Sequence, residues 1–201
     1  MRVIAGKAKG HRLKSVPGGG TRPITDRAKV ALFSIIGNDV IGCRFLDLFA
    51  GTGQVGIEAL SRGAAEVVFV ERAGAALRTI RENLAHTRLE LVLRPPLRRR
   101  PKRPVKVAGA RVVRADVFSF LAGEPETFDY VYIAPPQYRG LWMRTLRVLD
   151  ANPGWLADDG WAIAQIHHRE YEELPLAHLA LFDQRTYGSV MLCFYCVTRE
   201  T

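Results

Sequence analysis

The chain has 201 residues, 48% of them apolar, and a formal net charge of +9 from 29 basic and 20 acidic side chains. That is enough for one packed domain, or one domain with a small appendage. No apolar run approaches the roughly 18 residues of a membrane span, and three cysteines do not build a disulfide framework. Residues 1–40 hold 8 basic and 2 acidic residues and 88–111 hold 9 and 1, while 112–201 are net acidic. Two separate basic clusters predict arms that touch a polyanion, although a solvated basic surface is the simpler reading of either one alone.

The first residues, Met1 to Lys7, are strand-like and soon interrupted by lysines, unlike a secretory signal. Val3 to Ala5 and His11 to Leu13 predict a small basic hairpin. Val16-Pro17-Gly18-Gly19-Gly20 reads as a flexible joint, dividing a hairpin unit, residues 1–20, from a main domain, 21–201. Arg22-Pro23-Ile24-Thr25-Asp26-Arg27 then leads into a helix over Asp26 to Ile36, capped by Thr25 and ended by Gly37-Asn38. Arg22, Arg27 and Lys29 lie near its start, where cations oppose the helix dipole. A ligand and an ordinary surface explain them equally well.

Phe45-Leu46-Asp47-Leu48-Phe49-Ala50-Gly51-Thr52-Gly53-Gln54-Val55-Gly56 reads as a buried strand, a glycine turn and a helix over Gln54 to Arg62, closed by Gly63. Glycines 51, 53 and 56 allow a tight turn and close approach of a ligand. A second strand, Val67 to Val70, ends in Glu71, where a doubly wound sheet grips a nucleoside ribose. The same spacing occurs in dehydrogenases. Asp47 decides between them: a carboxylate repels the pyrophosphate of a dinucleotide and attracts the ammonium and sulfonium of S-adenosylmethionine. Asp47, Phe49, Gly51, Thr52, Gly53, Glu71 and Arg72 are therefore predicted cofactor contacts.

Ala75 to Leu84 predicts the next helix. Arg94 to Pro104 follows, with four prolines and six basic residues, and reads as an extended basic arm within an insertion at about 88–109. A third strand, Ala110 to Arg114, leads to Asp116 and Val117, where the acid serves an adenine amine, a helix cap over Val117 to Leu121, or both. Phe128 to Ile133 is a fourth strand ending at Ala134-Pro135-Pro136-Gln137-Tyr138. A helix striped by Leu141, Trp142, Leu146 and Leu149, a strand over Trp161 to His167, and a hairpin turning at Tyr187-Gly188 complete the chain. Cys193 and Cys196 fall on opposite faces of a strand and His167-His168 has no acidic partners at ligand spacing, so no metal is expected. The alternation predicts an α/β sheet, mostly parallel with an antiparallel terminal hairpin. With the methyl-donor turn after Asp47, the expected fold is that of a Rossmann-like S-adenosylmethionine-dependent methyltransferase.

Five blocks carry a resemblance: Arg2 to Lys7, Arg22 to Arg27, Leu46 to Gly53, Gly56 to Gly63, and Pro135-Pro136. In these the chain, from Met1 to about Arg199, resembles the RsmD-type methyltransferases, which modify a guanine N2 in bacterial 16S ribosomal RNA. The N-terminal hairpin with the Arg-Pro-x-Thr-Asp-Arg segment is specific to that family; the glycine motif is shared by many methyltransferases. The resemblance implies S-adenosyl-L-methionine as donor and 16S rRNA, in the small ribosomal subunit or an assembly intermediate, as substrate. A cytoplasmic monomer without a membrane segment is expected. RNA contacts are expected at Arg2, Lys7, Lys9, Arg12, Arg22, Thr25, Arg27, Arg98, Arg99 and Arg100.

One departure stands out. The family has Asp or Asn before the two prolines and an aromatic residue directly after; this chain has Ala134, Pro135, Pro136, Gln137, with Tyr138 one place late. The acid or amide accepts a hydrogen bond from the amine of the flipped base, beside a backbone carbonyl of the turn, and the aromatic ring stacks on that base. Ala134, Pro135, Pro136, Gln137 and Tyr138 are the predicted catalytic set, with Gln137 or backbone atoms replacing the missing acceptor. A catalytically weakened or inactive rRNA- and cofactor-binding homologue, and an amine methyltransferase acting on DNA adenine or protein, are the alternatives.

Overall fold

The computed structural model describes residues 1–17, 24–89 and 109–198. Among the described residues seven strands, β1 (Arg44–Leu48), β2 (Glu66–Glu71), β3 (Gly109–Arg114), β4 (Phe128–Ile133), β5 (Leu156–His167), β6 (Leu179–Tyr187) and β7 (Val190–Val197), form one sheet in the order β3-β2-β1-β4-β5-β7-β6. Strands β1 to β5 pair in parallel and β7 runs antiparallel between β5 and β6. The helices are α1 (Asp26–Ile36), α2 (Gln54–Arg62), α3 (Gly74–Thr87), α4 (Val117–Leu121) and α5 (Leu141–Ala151).

Two cores cover the two faces. Phe45, Phe69, Tyr132 and Ile163 pack with Leu32 and Phe33 of α1, Ile57 and Leu60 of α2, and Ile80 and Leu84 of α3. On the other face Leu46, Val68, Val131 and Ala162 meet Leu121 of α4 and Trp142, Leu146 and Leu149 of α5. Burial on both sides explains why β1 and β2 read as nearly unbroken apolar runs. Gly56 sets how closely α2 approaches the sheet: a Cβ there would lie 2.3 Å from the Phe69 ring.

Two boundaries differ from expectation. Helix α3 continues three residues past Leu84 and closes on Arg88, which takes the left-handed conformation (φ 54°) usually left to glycine. Strand β5 begins five residues before Trp161, because its first residue, Leu156, pairs with Phe128 before the register shifts. The acids Asp158-Asp159 obscure that start in the sequence.

The N-terminal segment is a hairpin only in outline, with a single bridge between Arg2 and Arg12. Its backbone also hydrogen-bonds into the body of the fold. Ile4 and Ala5 donate their N–H groups to the Glu58 carboxylate at 2.8 and 3.0 Å, Ala8 donates to Ser61 Oγ, and Lys14 donates to Asn83 Oδ1. Val3, Ala8 and Leu13 join the α1–α2 core. Gly6 makes this possible: at φ 80° its Cα lies against α2, where a Cβ would sit 1.8 Å from the Ser61 carbonyl oxygen.

Two cations grouped by sequence with a possible ligand surface are structural instead. Lys29 is fully buried, 3.6 Å from Glu58, and donates to the Arg2 carbonyl; burial lowers its pKa against the attraction of Glu58. Arg111, at the end of the second basic cluster, pairs with Glu126 at 2.6 Å at the amino-terminal edge of the sheet. Among the described residues no helix is long and apolar enough to cross a membrane.

Candidate active site

The strand order reverses between β1 and β4, and there a parallel sheet opens a crevice beyond its carboxyl ends. A cavity of about 980 Å³ occupies the place. Its floor is the turn after β1, where Phe49 (φ 61°), Gly51 (φ 55°) and Gly53 (φ 73°) all take positive φ. For a bulky residue such as Phe49 that conformation is strained, and strain of this kind persists where surrounding structure enforces it.

Asp47, Phe49, Gly51, Thr52, Glu71, Arg72, Asp116 and Val117 all line the cavity. Gly53 does not: it makes the turn, donating its N–H to Ala50 O at 2.7 Å, and begins α2 in the left-handed conformation. Gly56 likewise faces Phe69 and Val67 rather than a ligand.

The three acids differ in their ties. Asp47 is 2% exposed and takes one hydrogen bond among the described residues, from Gly56 N–H at 3.0 Å. Burial, opposed by that bond and reinforced by nearby Glu71, pushes its pKa up to about 8. Glu71 is an organiser: one oxygen accepts from Gly51 N–H at 3.0 Å and the other from Arg72 and Ala73 N–H at 2.8 Å. The oxygen that accepts only from Gly51 keeps a second lone pair for a ligand. Asp116 caps α4 through Oδ1, which accepts from Phe118 and Ser119, leaving Oδ2 uncommitted among the described residues.

At the mouth, Ala134, Pro135, Pro136 and Gln137 line the cavity, whereas Tyr138 does not. Tyr138 is 65% exposed with φ 57°, and its N–H donates to Glu170, whose other oxygen accepts from His167 N–H at 3.1 Å. Its ring stands 5.5 Å from that of His167. The proline turn is thereby clipped to the end of β5.

Sequence reasoning missed several lining residues. Gln54 holds the Ile24 carbonyl through Nε2 at 3.0 Å, while its buried Oε1 has no partner among the described residues. Tyr132 donates its hydroxyl to Gln165 Oε1, and both line the cavity, as do Arg139 and Arg144. Only the strand register reveals Gln165. The alternation along β5 places it inward, but a lone glutamine in an apolar strand carries no motif.

Of the predicted RNA contacts, Arg2, Lys7, Lys9, Arg12 and Arg27 are exposed, and Arg2 pairs with Asp26 at 3.3 Å. Thr25 caps α1, its hydroxyl accepting from Ala28 N–H at 3.2 Å. Arg22 and the Arg98-Arg99-Arg100 run lie outside the described residues, as do Gly18 to Gly20 and most of the basic insertion.

The donor set fits S-adenosylmethionine. A buried carboxyl with one hydrogen bond and the orphaned Gln54 Oε1 both reward a cation or a donor, and three carboxyls round one cavity disfavour a pyrophosphate. This strand order, with its acid-lined cavity at the switch point, is that of a Rossmann-like, S-adenosylmethionine-dependent methyltransferase. The chain belongs to the family described as conserved hypothetical protein 95, whose model matches residues 1–196. It is 38% identical over 200 residues to "Putative rRNA methyltransferase YlbH" of Bacillus subtilis, covering 97% of this chain and 98% of that one. It is 32% identical over 197 residues to ribosomal RNA small subunit methyltransferase D of Escherichia coli K12, covering 97% and 89%. Among solved structures, "Putative methyltransferase yhhF" from Escherichia coli superposes with a TM-score of 0.78 at 30% identity, covering 98% of this chain and 97% of that one.

Proposed function

We propose that this protein methylates the exocyclic N2 of a guanine in 16S rRNA of the small ribosomal subunit, or of an assembly intermediate, as a cytoplasmic monomer. The observation that carries the reading is the junction of an acid-lined cavity with a two-proline turn at its mouth, in a chain related over its length to proteins named for rRNA methylation. S-adenosylmethionine, when bound, supplies an electrophilic methyl group on a cationic sulfur. In this reading Asp47 attracts the cofactor's positive charge, Glu71 accepts from a ribose hydroxyl and Asp116 Oδ2 accepts from the adenine amine. Phe49, Thr52, Arg72 and Val117 shape the cavity around them. Methyl transfer is an in-line displacement, so alignment of the amine outweighs strong base catalysis.

Residues 1–17 act as a docked basic hairpin rather than a loose arm. With Arg27 they hold the phosphate backbone, while the ribosomal context supplies selectivity. The insertion at about 88–109 adds a second phosphate contact, so neutralising Arg98, Arg99 and Arg100 weakens RNA binding and flattens its salt dependence.

The test is methyl transfer from labelled donor to small subunits lacking the mark, with mass mapping of the product. Incorporation at a guanine N2 is expected; none above background rejects the reading. Ala134 supports a second reading, a binding factor without turnover. That protein would bind S-adenosylhomocysteine and small subunits but leave the subunits unmodified.

A further inference from the structure

We infer that Gln165, on β5, is the side chain that accepts a hydrogen bond from the substrate's exocyclic amine, the role Ala134 leaves vacant just past β4. The inference rests on the amine-methyltransferase reading above and names the residue that completes its site. Strands β4 and β5 pair in parallel with Tyr132 opposite Ile163 and Ile133 opposite Ala164, which brings Ala134 level with Gln165. Ala134, one residue past β4, still donates its N–H to Leu48 O on β1 and packs against the core of Tyr132 and Ile163. Side chains alternate along a strand, so Tyr132, Ala134, Ile163 and Gln165 share one face of the sheet. Asp47, the β1 partner of Tyr132, shares it too. An acid at 134 and an amide at 165 would therefore project side by side into the same cavity, which both residues line.

The amide is held in place. Tyr132, 1% exposed, donates its hydroxyl to Gln165 Oε1. An amide oxygen has two lone pairs, so this bond orients the group and leaves one acceptor site. Gln165 itself is only half-buried, so a base entering past the proline turn meets it. Gln137, the substitute expected from sequence, lines the same cavity but sits on the turn itself, not on a strand.

As the amine nitrogen forms its bond to the methyl carbon and the carbon–sulfur pair returns to sulfur, the nitrogen gains positive charge and then loses a proton to water. A fixed acceptor on its N–H is worth more in that transition state than in the ground state. Gln165 supplies this acceptor, and Tyr132 is a positioning residue that acts through it.

The experiment measures methyl transfer to unmodified small subunits and, separately, calorimetric affinity for S-adenosylhomocysteine. Wild-type protein is measured first: failure to transfer removes the functional reading itself, and this inference with it. Given transfer, Gln165→Ala should lower kcat about tenfold or more while the affinity for S-adenosylhomocysteine stays within twofold. Adding Ala134→Asp to Gln165→Ala should recover most of the rate, a rescue that a merely structural role for Gln165 would not show. Tyr132→Phe should lower kcat less than Gln165→Ala does. Unchanged kcat in a folded Gln165→Ala protein overturns the inference alone, and so does a loss that Ala134→Asp fails to rescue.

Discussion

Glu58 on α2 and Asp47 on β1 are both carboxyls shut away from solvent, 0% and 2% exposed, and the fold treats them oppositely. Glu58 accepts from two backbone N–H groups of the N-terminal segment and from Arg62 at 2.8 Å, with Lys29 at 3.6 Å. Asp47 has the Gly56 N–H alone among the described residues, and an open cavity beside it. A buried charge is costly unless it is paired and hydrogen-bonded. Where the protein supplies every partner, as around Glu58, the charge is a fastener. Where it withholds them, as around Asp47, it is a place for a ligand to supply the rest.

The comparison can be broken at several points, and the largest effect is expected at the fastener. Lys29→Ala leaves Glu58 without its ammonium and opens space in the core, so denaturant unfolding should show a loss of about 3–5 kcal/mol. A loss under about 1 kcal/mol would mean that Arg62 and the backbone donors suffice.

Next comes Asp47→Asn, which keeps an acceptor for Gly56 but removes the charge. Affinity for S-adenosylmethionine should fall about tenfold to a hundredfold by calorimetry, about 1.4–2.7 kcal/mol. Stability should move the other way. With its native pKa raised to about 8 from 3.8, Asp47 holds a proton in the folded state that the unfolded chain releases over that window. Its contribution therefore falls as pH rises from about 4 to about 8, and the asparagine variant should lose that part of the slope. Equal slopes in both proteins would show that Asp47 ionises normally.

The same shift sharpens the picture of binding. A cationic ligand favours the ionised carboxylate, so binding below about pH 8 should release a proton and tighten as pH rises towards that value. Calorimetry in two buffers of different ionisation enthalpy reads the proton directly; no release would place the cofactor's charge elsewhere. Smallest is Thr25→Ala, which removes the α1 cap for about 1 kcal/mol of stability. Cofactor affinity should be unchanged, since Thr25 does not line the cavity.

Much of this was legible before any coordinates. Helices α1, α2 and α4 and strand β4 run between the expected residues, because a capping threonine, a closing glycine and an apolar period are local signals. The acids near the tips of β1, β2 and β3 were readable for the same reason: Glu71 ends β2, Asp47 is the last residue but one of β1, and Asp116 follows β3 by two residues. Gly53 and Gly56 do not line the cavity: their spacing says that the chain turns tightly, not which side of the turn faces a ligand.

Chain order and side-chain chemistry alone determined an alternating α/β fold, a glycine turn with an upstream acid, and a proline turn lacking its usual acceptor. Only the tertiary structure decided that Lys29 is a buried fastener, that Tyr138 faces outward, and that Gln165 stands beside Ala134. Turns and helical periods arise from neighbours within a few residues, whereas burial and strand register join residues some thirty positions apart, as Tyr132 and Gln165 are. Nothing local in the chain encodes those distances.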